Sequence, residues 1–458
     1  MNTGNNPQIT IQFLGAAETV TGSKYYIKTP TKNILVDCGL FQGLLEFQQR
    51  NRESLPVAVG DIDIILLTHG HLDHTGYLPK LVKDGFAGQI WGTAPTLQIT
   101  KIILEDSARI QEEDAARANA KGFSKHNPAV ALYDTGDVEK TMPLCYPQPP
   151  DVWLDIDKDI HCRFRYNGHI IGATFIELKV GDKVIVFSGD IGRTNDLLMY
   201  EPKQPEQADV VLMESTYGDT IHPDDSATEL IRIIKECVAK NGTLIIPSFA
   251  VERTQLLMYL LWKLRTAGDI PDVPVYMDSP MGSSVLDVFE RNLSWHKLSA
   301  DDCVNMCKDI KLIQTVQETY KLSQADFSKI IIAGSGMATG GRVLTYMLQY
   351  LPNPSATMLL AGYQAEGTRG RDLLDGAKEI KIYGKFFPVR ATVESITGLS
   401  AHADQGELIA WLSALKTKPA NIFLIHGETD ALQAIQAKIK EVYNWDATIP
   451  KLNEVFTI

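Results

Sequence analysis

The chain has 458 residues, 44% hydrophobic and 22% charged, the balance of an ordinary globular protein long enough for two domains. Its net charge of −12 argues against a protein that coats long nucleic acid through a broad basic surface. It leaves open a nucleic acid held locally, where divalent cations supply the positive charge.

No run of about 18 apolar residues occurs, so no membrane span is expected. Met1–Asn6 lacks the basic and apolar regions of a secretory signal, which points to the cytoplasm. The six cysteines, Cys38, Cys145, Cys162, Cys237, Cys303 and Cys307, are sparse and irregularly spaced. They read as reduced, partly buried thiols rather than a zinc site.

In chain order, short apolar runs end repeatedly at polar residues suited to chemistry. Asn33–Val36 runs into Asp37, and Ile62–Leu67 runs into His69-Gly70-His71-Leu72-Asp73-His74, which places four potential ligands within six residues. From about Pro95 to Lys121 the spacing of Leu97, Ile102, Ile103 and Ile110 predicts a helix with one apolar face. His169 follows in Gly168-His169-Ile170-Ile171-Gly172-Ala173. Lys183–Phe187 then leads to Ser188-Gly189-Asp190, and Val210–Met213 leads to Glu214. Runs of this length, stopped by polar residues or glycine, read as buried strands of an α/β sheet, with ligands bound just past their C-terminal ends.

A second set of strands spans about 208 to 392: Thr243–Ile246, Val275–Met277, Ile330–Ile332 and Met358–Leu360. They alternate with helical stretches such as Thr254–Arg265 and are punctuated by Pro247, Pro274 and Gly334-Ser335-Gly336. Asn421–Ile425 finally runs into His426. The simplest arrangement is a metal domain over 1–207 and 393–458, interrupted by an α/β domain over 208–392, with a cleft between them. His69 and His71 flank a residue of extended loop and can face one ion. Asp73 and His74 can face a neighbouring ion, and the two oxygens of Asp190 suffice to bridge both.

With these motifs in hand, nearly the whole chain resembles the metallo-β-lactamase superfamily and, within it, the β-CASP nucleases. The match rests on Asp37 in Leu35-Val36-Asp37-Cys38-Gly39, the histidine cluster, His169 and Asp190. It continues through Met213-Glu214-Ser215-Thr216-Tyr217-Gly218-Asp219, Leu399-Ser400-Ala401-His402-Ala403-Asp404 and Leu424-Ile425-His426-Gly427-Glu428. The Glu-Ser-Thr-Tyr-Gly string and the Gly334-Ser335-Gly336-Met337 turn look like the RNA-processing branch. That branch includes the nuclease of eukaryotic pre-mRNA 3′-end cleavage and its bacterial and archaeal relatives.

The resemblance implies an αββα sandwich with an inserted α/β β-CASP domain and two Zn2+ per chain, Mn2+ being the alternative at one site. One ion would take His69, His71, His169 and Asp190; the other would take Asp73, His74, Asp190 and His426. Asp37 would orient a ligand or loop without binding metal. Asp73, Glu214 and His402 would be the catalytic residues, with His402 as general acid beside the Glu214 carboxylate and a metal-bridging hydroxide as nucleophile. The implied activity is zinc-dependent hydrolysis of RNA phosphodiesters, endonucleolytic and also 5′→3′ exonucleolytic, on a single-stranded substrate.

A histidine at position 426 resembles the RNA-acting members, whereas DNA-acting members carry a valine. His71 stands where the di-iron redox branch has glutamate. Candidate phosphate contacts are Gly334, Ser335, Gly336, Ser400, Ala401, Arg253 and Arg342, with Arg369 and Arg371 beside them. Tyr217 is expected to stack on a base or pack in an interdomain seam. His126, His161 and His296 match no motif, and His222 is a candidate for lining the cleft.

The chain begins close to its first strand and stops soon after its last motif. It leaves no room for the N-terminal extension of archaeal relatives or the C-terminal domain of ribonuclease J, so a homodimer or a partner would help select substrate. The alternatives are a hydrolase of smaller esters, thioesters or cyclic nucleotides on the same scaffold, and an inactive scaffold in an RNA-cleavage complex.

Overall fold

A computed structural model of the chain describes residues 9–121, 128–223 and 225–458. The Met1–Asn6 segment and His126 lie outside the described residues. The chain divides into two compact units, Met1–Ile221 with His402–Ile458, and His222–Ala401.

The first unit is built on two sheets. One has seven strands, in the order Val455–Thr457, Thr10–Phe13, Tyr25–Lys28, Asn33–Val36, Ile64–Leu66, Gln89–Thr93 and Cys145–Gln148. The other has six: Asn421–Leu424, Val210–Met213, Lys183–Phe187, Thr174–Val180, Ile160–Tyr166 and Leu154–Asp157. Successive side chains of a strand point to opposite faces, so an unbroken apolar run must be covered on both sides. Ile34, Val36, Ile64 and Leu66 of the first sheet meet Ile185, Phe187, Val210, Leu212 and Phe423 of the second in a shared core. The intervening Leu35, Ile65 and Leu67 face the other way, into a cluster with Leu78, Leu81, Leu97 and Leu104 from helices. Val186, Val211, Met213 and Leu424 likewise pack on Leu408 and Trp411 of Gln405–Leu412 and on Ile435 of Thr429–Tyr443. The layers are therefore helix, sheet, sheet, helix.

Both sheets are mixed. Asn33–Val36, Ile64–Leu66 and Gln89–Thr93 run parallel, as do Lys183–Phe187, Val210–Met213 and Asn421–Leu424. All of these parallel strands except Gln89–Thr93 are legible as apolar runs. The antiparallel strands Thr10–Phe13, Tyr25–Lys28 and Ile160–Tyr166 alternate buried and half-buried positions and leave no such run.

The helix Ala94–Lys121 forms. Of the expected face, Leu97 and Ile103 are buried, Ile102 is half-buried and Ile110 is 40% exposed; Thr100, Leu104 and Ala108 are buried beside them. Ile103 and Ile110 lie two turns apart on one side, so burial on that side ends between them.

The second unit holds a six-stranded parallel sheet, in the order Lys311–Leu312, Val275–Asp278, Lys329–Ala333, Thr243–Pro247, Thr357–Ala361 and Thr392–Ile396. A two-stranded hairpin, Glu379–Ile382 with Lys385–Pro388, stands apart from it. Among the described residues, no helix is long and apolar enough to cross a membrane. The six cysteines are free.

Phe13 is fully buried between the sheets, with its ring centroid 5.1 Å from that of Phe423. Phe13→Ala is expected to cost about 3–5 kcal/mol. Ile110→Ala is expected to cost under about 1 kcal/mol. Calorimetric unfolding of the two variants measures both.

Candidate metal centre

Every candidate ligand sits at the end of a strand or in the turn after it. Past Ile64–Leu66 the chain bends at Thr68 and reaches His71, which has ψ 154° and stands at the N-cap of the one-turn helix Leu72–Thr75. His69 thus lies in the loop, His71 on extended backbone, and Asp73 and His74 on the turn. The Asp37 loop is laced to that turn: Cys38 N–H donates to the His74 carbonyl (2.7 Å), and Ser23 N–H to the Asp73 carbonyl (2.8 Å). A Cβ on Gly39 would lie 1.6 Å from the Asp73 carbonyl oxygen, so only glycine allows this approach.

Four ligand atoms form a compact first group. His71 Nδ1 lies 3.1 Å from His69 Nε2 and 3.2 Å from His169 Nε2. Asp190 Oδ2 lies 3.3 Å from His69 Nε2 and 3.5 Å from His169 Nε2. A tetrahedral ion with bonds of about 2.0–2.1 Å needs ligand atoms about 3.3–3.4 Å apart, so the group has the right size for one.

A second, looser group contains Asp73, His74 and His426. His426 Nε2 is 3.3 Å and His74 Nε2 3.9 Å from Asp73 Oδ2. The other oxygen of Asp190, Oδ1, is 3.2 Å from His74 Nε2 and 3.7 Å from His426 Nδ1. It is buried and has no hydrogen-bond partner. The donor set of imidazoles and carboxylates suits a divalent ion such as zinc.

Two buried carboxylates fix the direction of the imidazoles. Asp37 accepts the His74 Nδ1–H at 2.7 Å, which turns His74 Nε2 toward Asp190. It also accepts the backbone N–H and the hydroxyl of Thr68, both at 2.8 Å. With its proton committed to Asp37, the Thr68 oxygen accepts from His69 Nδ1 at 3.1 Å, and His69 Nε2 is left with a lone pair.

Glu214 repeats the pattern from the other sheet. It accepts the Thr216 hydroxyl at 2.6 Å, and the Thr216 oxygen lies 3.1 Å from His426 Nδ1. It also holds His402 Nδ1 at 3.1 Å. Asp190 itself is pinned by Asn167, whose side-chain amide donates to the Ser188 and Asp190 carbonyls at 2.6 and 2.5 Å. Thr68, Thr216 and Asn167 escaped the reading of the sequence. The available signal was position alone: each lies one or two residues from a motif residue.

Burial pushes His69 down to about 3 and His71 down to about 4, so both rings are neutral and carry lone pairs. His169 is depressed well below the ordinary range, again mainly by burial. His74 moves the opposite way: burial opposes the shift, but Asp190 and Asp37 raise it well above the ordinary value. The space between those carboxylates favours positive charge. Among the described residues, Asp37, Asp73, Asp190 and Glu214 have histidines, not lysine or arginine, as ion-pair partners.

The seven expected ligands, with Asp37, Glu214 and His402, thus converge in the first unit. The Tyr217 ring there is 6.2 Å from that of His402, and Tyr217 is 5% exposed, which leaves little face for a base. His161 pairs with Asp155, and His296 is buried against the Phe289 carbonyl. His222 is also buried, in the second unit.

The phosphate candidates belong to the second unit. Gly334-Ser335-Gly336 follows Lys329–Ala333, with Ser335 Oγ bonded to the Thr339 hydroxyl and amide. Ser400 and Ala401 are buried. The arginines are held by protein acceptors: Arg253 by the Ala361 carbonyl, and Arg342 by Asp278 and the Thr319 hydroxyl. Arg369 is held by the Lys381, Ala338 and Thr339 carbonyls, and Arg371 by Asp375.

Comparison with known proteins places the chain in a family. Residues 19–248 match the metallo-beta-lactamase superfamily, 254–373 the Beta-Casp domain, and 387–450 the Zn-dependent metallo-hydrolase RNA specificity domain. A ribonuclease of Thermus thermophilus is 31% identical over 92% of this chain and 94% of its own length. The transcription termination factor FttA of Methanocaldococcus jannaschii is 28% identical over 96% of this chain and 70% of its own. A solved structure of a protein of unknown function from Enterococcus faecalis aligns with TM-score 0.54 at 14% identity, over 98% of this chain and 100% of that one, a likeness of fold.

Because one oxygen of Asp190 faces each group, Asp190→Ala is expected to abolish metal retention after dialysis. His426→Ala, which touches only the looser group, is expected to remove about half of it. Elemental analysis of the dialysed proteins measures this.

Proposed function

The chain belongs to the metallo-β-lactamase superfamily and to its β-CASP branch, and from that premise we infer that it hydrolyses RNA phosphodiesters with bound metal. The observation that carries the reading is the Glu214–His402 pair at the margin of the ligand cluster. His402 Nδ1 is 3.1 Å from Glu214, and the His402 ring centroid is 4.4 Å from that of His169. The His402 side chain is 17% exposed, whereas those of His69, His74 and His169 are 1–2% exposed. Like His71 it is only half-buried, and of those two it is the one held by a carboxylate at Nδ1, which suits it to exchange a proton with a substrate.

His69, His71, His169 and Asp190 would hold one zinc ion. Asp73, His74, Asp190 and His426 would hold a second, or manganese in its place. When bound, such ions activate water at neutral pH and polarise the phosphoryl oxygens. The residues of the chain do the rest. Glu214 holds His402 in one tautomer with Nδ1–H toward the carboxylate, so that Nε2 is the atom left to carry the exchangeable proton. Protonated there, His402 donates to the departing 3′ or 5′ oxygen as general acid, while Glu214 offsets the imidazolium charge. Burial raises the strength of that pairing, and Glu214, Asp190 and Asp73 together lift His402 above the ordinary histidine value despite desolvation. Asp37 and Thr68 keep the lone pairs of His74 and His69 aimed inward.

RNA rather than DNA is the proposed substrate, with His426 as the residue that marks the preference. Cleavage is proposed to be internal, with 5′→3′ trimming as a second mode on single strands.

His402→Ala is expected to lower the rate of cleavage of labelled single-stranded RNA by about 10²–10⁴-fold with metal content unchanged. Equal activity on matching DNA would overturn the substrate assignment, and activity on simple esters alone would overturn the nuclease reading. Thr216→Val leaves the Glu214 and His426 groups unsatisfied and is expected to lower kcat by about 10–100-fold. Thr216→Ser restores the hydroxyl and is expected to recover most of the rate.

A further inference from the structure

The hairpin Glu379–Ile382 with Lys385–Pro388 in the second unit has an unusual outer face. Its inner residues explain how it is held: Ile380 and Ile382 are buried in the core of the unit, and Phe387, opposite Ile380, packs against that core. Lys381 pairs with Phe386 on the other face, its ammonium 5.6 Å from the ring centroid. Tyr383 is 62% exposed and Phe386 61%.

The turn between the strands is Tyr383-Gly384, both with positive φ, 49° and 83°. That pattern belongs to a two-residue turn in which Asn or Asp normally precedes glycine. A large aromatic is a poor occupant of the left-handed region, so turn chemistry does not account for Tyr383.

The charge is also out of keeping with the rest of the chain. Residues 378–390 contain Lys378, Lys381, Lys385 and Arg390, all exposed, against the single acid Glu379, in a protein of net charge −12. The nearest upstream acid outside this stretch, Asp375, is already paired with Arg371. The hairpin is braced as well. Arg369 donates to the Lys381 carbonyl at 2.7 Å and to the Thr339 carbonyl at 2.8 Å, which ties it to the loop that continues from Gly334-Ser335-Gly336.

Exposed aromatic rings among cations, on a rigid support, match the requirements of single-stranded nucleic acid. Its bases stack on any flat ring, and its phosphates need local positive charge. We propose that this hairpin is an RNA-binding platform, in which Tyr383 and Phe386 stack bases and Lys381 and Lys385 neutralise phosphates. The proposal rests on the ribonuclease reading and adds to it a binding surface made from the second unit alone.

The test uses the full chain and its Tyr383→Ala/Phe386→Ala and Lys381→Glu/Lys385→Glu variants. Binding of a single-stranded RNA of about 20 nucleotides is read by fluorescence anisotropy. Cleavage of the same RNA and of a tetranucleotide is read separately. Thermal melting checks folding, and Tyr383→Phe, which keeps the ring, serves as the conservative control.

The aromatic variant is expected to weaken binding of the longer RNA by about 30-fold or more. Its KM for that RNA rises, while kcat and tetranucleotide cleavage stay unchanged. The charge variant is expected to weaken binding and to reduce the slope of log affinity against log salt by about 1.4. Unchanged affinity in both variants overturns the proposal, as does a loss that Tyr383→Phe shares. RNA affinity that stays constant while the variants alter self-association assigns the face to protein contact and equally overturns it. A wild-type chain that binds RNA through the hairpin but cuts none would instead sink the ribonuclease reading and leave the platform standing.

Discussion

The first unit is organised around one buried carboxylate with two unequal needs. Asp190 is 2% exposed, and burying an ionised carboxylate costs several kcal/mol unless charge and hydrogen bonds compensate. An ordinary buried aspartate is compensated by backbone N–H groups or an arginine. Here imidazoles face both oxygens, and Oδ1 has no hydrogen-bond donor. Asn167 grips the Asp190 backbone through its carbonyl and leaves the carboxylate unassisted. The facing imidazoles, His74 among them, compensate its charge, and the proposed bound cations would complete that compensation.

Orientation is supplied in duplicate. Asp37 at the end of one sheet and Glu214 at the end of the other each hold one histidine directly and another through a threonine hydroxyl. Threonine suits the relay because its branched Cβ restricts χ1, so the hydroxyl points one way without loss of freedom on binding. The first relay is also tied to the second sheet. Thr174 of the second sheet donates its N–H to the Thr68 carbonyl at 2.9 Å, so the sheets meet at the relay residue itself. A shift of one sheet against the other would therefore misdirect His69 before it disturbed the core.

What could be read from the sequence follows from what depends on local spacing. Four ligands crowd into His69–His74, and the apolar runs before Asp37, Asp190, Glu214 and His426 announce buried parallel strands, so ligands and scaffold are both visible. The relays are not visible, because Thr216 matters through a hydroxyl bond to a residue 210 positions away. The partners of the arginines are likewise invisible: in the fold Arg253 and Arg369 donate to carbonyls and Arg342 to a buried aspartate. Ile110 has the spacing of the face that carries Ile103, but burial along that side stops before it, which spacing alone does not show. The inserted unit was legible as alternating strands and helices, but its hairpin was not, since Ile380 and Ile382 are too few to form a recognisable run.

Charge balance explains how so acidic a chain can hold a polyanion. Asp37, Asp73, Asp190 and Glu214 bring four negative charges into one buried region, and His69, His71 and His169 are kept neutral there. The proposed divalent ions, with the His402 imidazolium, would offset that charge, and so would serve substrate approach as well as activation of water. Occupancy and binding become one linked equilibrium: a phosphate oxygen that settles near the centre stabilises the bound ions, and the ions admit the phosphate. With attraction supplied from inside the site, the rest of the surface can remain acidic and reject nucleic acid everywhere except where local cations or ions invite it.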